Sequence, residues 1–111
     1  MNKQQLGKLG EDAAAAYLEQ QQYRILCRNY RCRAGEIDLI AAKGRVLHFV
    51  EVKTRSGSLY GHPAESITGE KRRRMRVAAK TYLCANRWVP GMPQQVQFDA
   101  MEIEITHIEN I

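Results

Sequence analysis

Residues 35–55 read GEIDLIAAKGRVLHFVEVKTR, and this stretch decides the fold. Two runs rich in apolar residues, Glu36 to Ala41 and Val46 to Thr54, flank Lys43-Gly44-Arg45, a pattern that predicts a β-hairpin. Both runs are largely apolar, so the sheet holding them is expected to be covered in part on both faces. Alternate residues of a strand share a face. Glu51 and Lys53 therefore point one way with Val50 and Val52 opposite, and Glu36 and Asp38 share a face with Ile37 and Leu39 opposite. With the turn centred between Gly44 and Arg45, Asp38 falls across from Glu51, their Cβ atoms about 5 Å apart.

Two carboxylates that close repel, which raises one pKa unless a cation is shared between them. A hard divalent ion such as Mg²⁺ (or Mn²⁺) suits the pair, because it takes one or two carboxylates, keeps several waters and can bind a substrate phosphate. Lys53 is placed to polarise a water or to stabilise charge developing on phosphorus. The other reading is an ion-pair network in which Lys53 neutralises both acids, and the spacing alone leaves the two level. Context favours the metal. Glu36, Asp38 and Glu51 lie on neighbouring strands inside a basic segment, where phosphate recognition by itself would exclude acids.

Upstream, Leu6, Leu9, Ala13 and Tyr17 recur at helical spacing, with Ala14 and Leu18 widening the face, so a helix is expected from about Gln4 to Gln21. Glu11 falls at the rim of that stripe. Gly7 and Gly10 fit a helix that approaches other backbone closely. Tyr23 to Tyr30 reads as a strand followed by an Arg-rich turn. Downstream, Arg55 to Ile67 is a polar loop containing Tyr60 and His62, and Thr68 caps a second helix to about Asn86, with Met75, Ala78, Ala79 and Tyr82 facing inward. A last strand spans Val96 to Ile105, with a bulge expected near Ala100, where the apolar positions change phase. The order is α-β-β-β-α-β, expected as one α/β domain over residues 1–111 with a mixed, mostly antiparallel sheet flanked by helices.

Charge narrows the partner. The chain carries +5 overall, from 17 Lys and Arg against 12 Asp and Glu. Residues 24–87 hold most of the basic groups, and the last 24 residues hold none. A cationic middle suggests a polyanion, nucleic acid above all. Arg73, Arg76, Lys80 and Arg87 form one helical stripe away from Met75 and Tyr82, read as phosphate contacts with a solvated face as the alternative, and Arg55 joins them. Asp99 is a candidate partner for one of these arginines. His48, on the strand face opposite to that of Glu51, reads as a packed or edge histidine. Cys27, Cys32 and Cys84 are odd in number and without metal-ligand spacing, so they read as small buried or half-buried side chains. No apolar run nears the ~18 residues of a membrane span, and the start, MNKQQLGKLGED, does not resemble a signal peptide, so a cytoplasmic protein is expected.

Glu11, then GEIDLI at 35–40 and FVEVKTR at 49–55, resemble the D…E-x-K core of the PD-(D/E)XK nuclease superfamily, which shares the α-β-β-β-α-β order of restriction endonucleases. The segments GKLGEDAAAAYL, YRILCRNYRCRAGEIDLIA, YGHPAESIT, EKRRRM, AAKTYL and QFDA resemble more closely the YraN family of small bacterial proteins, which are similar to archaeal Holliday junction resolvases. That resemblance implies a Mg²⁺-dependent DNA endonuclease, branched DNA being one substrate class. Asp38 and Glu51 would be its metal ligands, Lys53 its catalytic lysine and Glu11 an acid acting through water. A homodimer is the assembly that the likeness to junction resolvases suggests. Ile37 stands where many superfamily members have proline. The alternative is a non-catalytic nucleic-acid-binding module on the same scaffold.

Overall fold

The computed structural model describes residues 1–56 and 68–111. The chain is an α/β protein in the order α1 (Lys3–Gln20), β1 (Arg24–Cys32), β2 (Gly35–Lys43), β3 (Val46–Ser56), α2 (Gly69–Asn86) and β4 (Gln95–Ile105). The four strands form one sheet in that order, antiparallel from β1 to β3, with β4 parallel to β3. A polar loop is expected from Arg55 to Ile67, but β3 runs to Ser56, and the rest of that stretch, with Tyr60 and His62, lies outside the described residues.

The hairpin is the one read from the sequence. Lys43 pairs with Val46 across a turn of Gly44 and Arg45, and the register continues to Leu39 opposite Val50. Gly44 has φ +58°, a conformation that glycine adopts without steric cost. Thr68 caps α2 by accepting the Lys71 N–H, and Met75, Ala78, Ala79 and Tyr82 are its buried residues.

The helices cover opposite faces of the sheet. α1 packs Ala14, Ala15 and Leu18 against Leu39, Ala41 and Val50. α2 packs Ala78, Ala79 and Tyr82 against Ile37, Ile40, Ala42, Leu47 and Phe49, with the Phe49 ring edge-on to Tyr82 and stacked on Phe98. A sheet buried on both sides needs long apolar runs in its central strands, and β2 and β3 have them.

Three expectations fail. The inward face of α1 is rotated: Leu9, Ala13 and Tyr17 are exposed, while Gly10, Ala14, Ala15 and Leu18 are buried. The cause is close approach. A Cβ on Gly10 would come within 1.6 Å of Thr54 Oγ1, so only the small-residue side of the helix fits against β3. Second, β4 has no bulge near Ala100, because its register with β3 is unbroken from Gln95 to Ile105. Its apolar phase changes because Phe98 stacks on the α2 side, whereas Met101 and Ile103 pack on the α1 side. Third, Ile37 and Leu39 do not share a face. Ile37 joins the α2 cluster and Leu39 the α1 cluster, so alternation breaks at Asp38. Asn29, which faces Asp38 in the β1–β2 register, has φ +52°, a left-handed conformation that asparagine tolerates better than most residues.

Candidate functional site

The break at Asp38 creates the site. The β2–β3 ladder ends at Leu39 and Val50, and the same register carried one residue further sets Asp38 opposite Glu51. Instead of continuing the ladder, Asp38 Oδ2 accepts the Val52 N–H at 2.7 Å. The carboxylate thus sits in the fork where the strands part, between the sheet's two covered faces. Glu51 faces the α2 side and is almost fully buried, at 4% exposure. From the other face, α1 brings Glu11, half-buried beside Gly10 on the line of the buried stripe rather than at its rim.

The electrostatics register this convergence. Burial is the main force pushing the Asp38 carboxyl up to about 7, and the charges of Glu51 and Glu11 push the same way while the Val52 hydrogen bond holds it back. Lys53 is half-buried on the strand face it shares with Glu51 by alternation.

Sequence reasoning missed Lys71. In the first turn of α2, its ammonium forms an ion pair with Glu51. Burial opposes the charged form of Lys71, but contact with Glu51 and the field of Asp38 outweigh it and hold its pKa above the ordinary lysine value. The one available signal was EKRRRM, and nothing in a run of cations says which of them points inward.

The other candidate residues have different surroundings. Arg55 bonds Glu102 at 3.1 Å. Arg73 pairs with Glu70, and Arg76 lines a groove with Arg72, Met75, Phe98, Asp99 and Ala100. Lys80 is exposed, and Arg87 lies over the Trp88 ring, about 24 Å along the helix from Lys71. Among the described residues Asp99 is paired with no arginine. Its Oδ2 is 2.6 Å from His48 Nδ1, and His48 is packed as expected. Glu36 turns out to Arg31. Cys84 is exposed, not buried, because α2 presents it away from the sheet.

Among the described residues no three His, Cys, Asp or Glu side chains form a group that could hold a metal ion as they stand. The donor chemistry nevertheless fits a hard divalent cation. Asp38 and Glu51 are oxygen donors held at one fork, and the Asp38 carboxyl, raised chiefly by burial and further by the charges of Glu51 and Glu11, is a group that a cation would stabilise in its charged form. Among the described residues no helix is long and apolar enough to cross a membrane.

Comparison with known proteins gives one consistent family. The family model described as "Uncharacterised protein family UPF0102" matches residues 10–103. A UPF0102 protein of Moorella thermoacetica is 43% identical over 111 residues, spanning 100% of this chain and 90% of its own. One from Symbiobacterium thermophilum is 48% identical over 99 residues, 89% of this chain and 81% of its own. Another, from Pelotomaculum thermopropionicum, is 55% identical over 78 residues, 70% and 65% of the two chains.

Proposed function

The chain belongs to the UPF0102 family, and for this member we propose a metal-dependent DNA endonuclease of the PD-(D/E)XK type, with branched DNA as one substrate class. The observation that carries the reading is the meeting of Asp38 and Glu51 at the β2–β3 fork, with the Asp38 carboxyl pushed up to about 7 and the charge of Glu11 acting on it from α1. Buried like charges are costly; Lys71 offsets Glu51, and the Asp38 carboxyl beside it is the group that a further cation would stabilise.

In this reading Asp38 and Glu51 hold Mg²⁺ or Mn²⁺, which when bound supplies Lewis-acid stabilisation of the phosphodiester and an activated water for in-line attack. Glu51 keeps its place because β3 is paired with β2 up to Val50 and with β4 at Glu51 itself, opposite Ala100. Lys53 contributes positive charge beside the phosphorus, and Glu11 orients water from the α1 side. Arg76 and Lys80, exposed on α2, bind flanking phosphates, with Arg55, Arg73 and Arg87 as further contacts. The protein then works in the cytoplasm, where its substrate is, and acts alone or as a homodimer.

The Lys71–Glu51 ion pair favours one other reading, a non-catalytic nucleic-acid-binding module in which lysine, not metal, neutralises the acids. Incubation with four-way junctions, flaps, linear duplex, single strands and RNA, with Mg²⁺, Mn²⁺ or EDTA, separates the two. Cleavage that needs the ion and is lost in Asp38→Asn and Lys53→Ala is the expected result, with Lys53→Ala still binding metal. Metal-independent binding without cleavage on every substrate favours the module.

A further inference from the structure

We propose that Lys71 is a positioning residue whose ammonium holds Glu51 when no divalent ion is present and leaves it when the ion binds, so that this lysine sets the metal affinity of the site. The inference rests on the metal-binding reading of Asp38 and Glu51 and adds a residue from outside their motif.

The contact joins two elements of unequal freedom. Glu51 is central in the sheet, its side chain 6% exposed, and it has no room to follow a departing partner. Lys71 is 39% exposed, reaches in from the first turn of α2 on a flexible four-carbon stem, and can swing out without disturbing the Thr68 cap, which holds only its backbone N–H. Lysine and metal compete for one acceptor. A Mg²⁺ or Mn²⁺ ion needs direct contact with a carboxylate oxygen at about 2.1 Å, and the ammonium occupies Oε1 of Glu51. A dication taking the other oxygen, Oε2, would still stand close to the ammonium and be repelled by its like charge. Exchange therefore moves the lysine and leaves the carboxylate in place. Without the ion, Lys71 keeps Glu51 and Asp38 from repelling each other apart, so the fork stays assembled for the ion to enter.

The test titrates Mn²⁺ alone into the full chain, reading free Mn²⁺ by electron paramagnetic resonance, for wild type, Lys71→Met, Lys71→Gln, Lys71→Arg and Asp38→Asn. Both neutral variants are expected to bind Mn²⁺ about fivefold to tenfold more tightly than wild type, the scale of one partly exposed ion pair removed from competition. Lys71→Arg, which keeps the charge, should bind as weakly as wild type. Without metal the neutral variants should melt lower than wild type, and their melting temperature should rise more on adding Mn²⁺. Unchanged or weaker Mn²⁺ binding in whichever neutral variant folds overturns the role of Lys71. Asp38→Asn keeps that failure distinct: if it loses Mn²⁺ while the Lys71 variants match wild type, only the lysine is misassigned. Wild-type affinity in Asp38→Asn as well means the metal site itself is wrong.

Discussion

At Asp38 the folded state holds a proton more tightly than the unfolded chain does, about 7 against an ordinary value near 4. The sign follows directly. A raised pKa contributes stability that is fully present below about pH 4 and is lost as pH rises through 7. In EDTA, the urea midpoint should therefore carry a component that falls between pH 4 and 7, and Asp38→Asn should remove it. Parallel profiles for wild type and variant across that range would show that Asp38 is not strained. Glu11 is testable in the same way, since its charge helps raise Asp38. Glu11→Gln should lower the Asp38 pKa followed by carboxyl NMR, and should slow any cleavage roughly 10 to 100-fold, the usual cost of an outer-shell partner. Mn²⁺ affinity should change far less than in Asp38→Asn. An unmoved Asp38 titration would place Glu11 too far away to act.

The two glycines of α1 separate helix propensity from packing. Nothing lies within 4 Å of a Cβ built on Gly7, whereas one on Gly10 collides with Thr54. Gly7→Ala should stabilise the protein by about 0.5–1 kcal/mol, the ordinary gain from removing glycine inside a helix. Gly10→Ala should instead cost about 1–3 kcal/mol by overpacking, measured by urea denaturation. Combining it with Thr54→Ala should recover part of the loss, because Thr54 supplies the nearest atoms. Equal effects at the two glycines would mean that α1 sits further from β3. The same seating carries Glu11, so Gly10→Ala should also disturb the acidic fork, whereas Gly7→Ala should not.

For the whole molecule, the basic groups fall mostly in residues 24–87, on β1 and around the hairpin as well as on α2, while β4 and the tail are acidic. Replacing Arg73, Arg76 and Lys80 with Gln should weaken DNA binding about uniformly across sequences. It should also flatten the plot of log K against log salt by ~0.9 per lost duplex phosphate contact. Arg73 is already held by Glu70, so Arg76 and Lys80 should account for most of the change. An unchanged slope would locate the DNA on another surface.

Much of this molecule is legible in its sequence because the deciding signals are local. The two-residue turn at Gly44 and Arg45 sets the hairpin register as far as Leu39 and Val50, and carrying it one residue further places Asp38 opposite Glu51. Thr68 followed by Met75, Ala78, Ala79 and Tyr82 fixes the cap and inward face of α2. What sequence could not carry is distance between elements. Apolarity ranks Leu9 and Tyr17 above Ala14 and Gly10 as inward residues, but the close seating of α1 on Thr54 selects small side chains and rotates the helix, bringing Glu11 inward with them. The apolar phase change in β4 mimics a bulge, because two helices on opposite faces look the same to a one-dimensional pattern. Lys71 is one of four consecutive cations, and which of them meets Glu51 depends on where α2 lands on the sheet, a matter of packing between segments far apart in the chain.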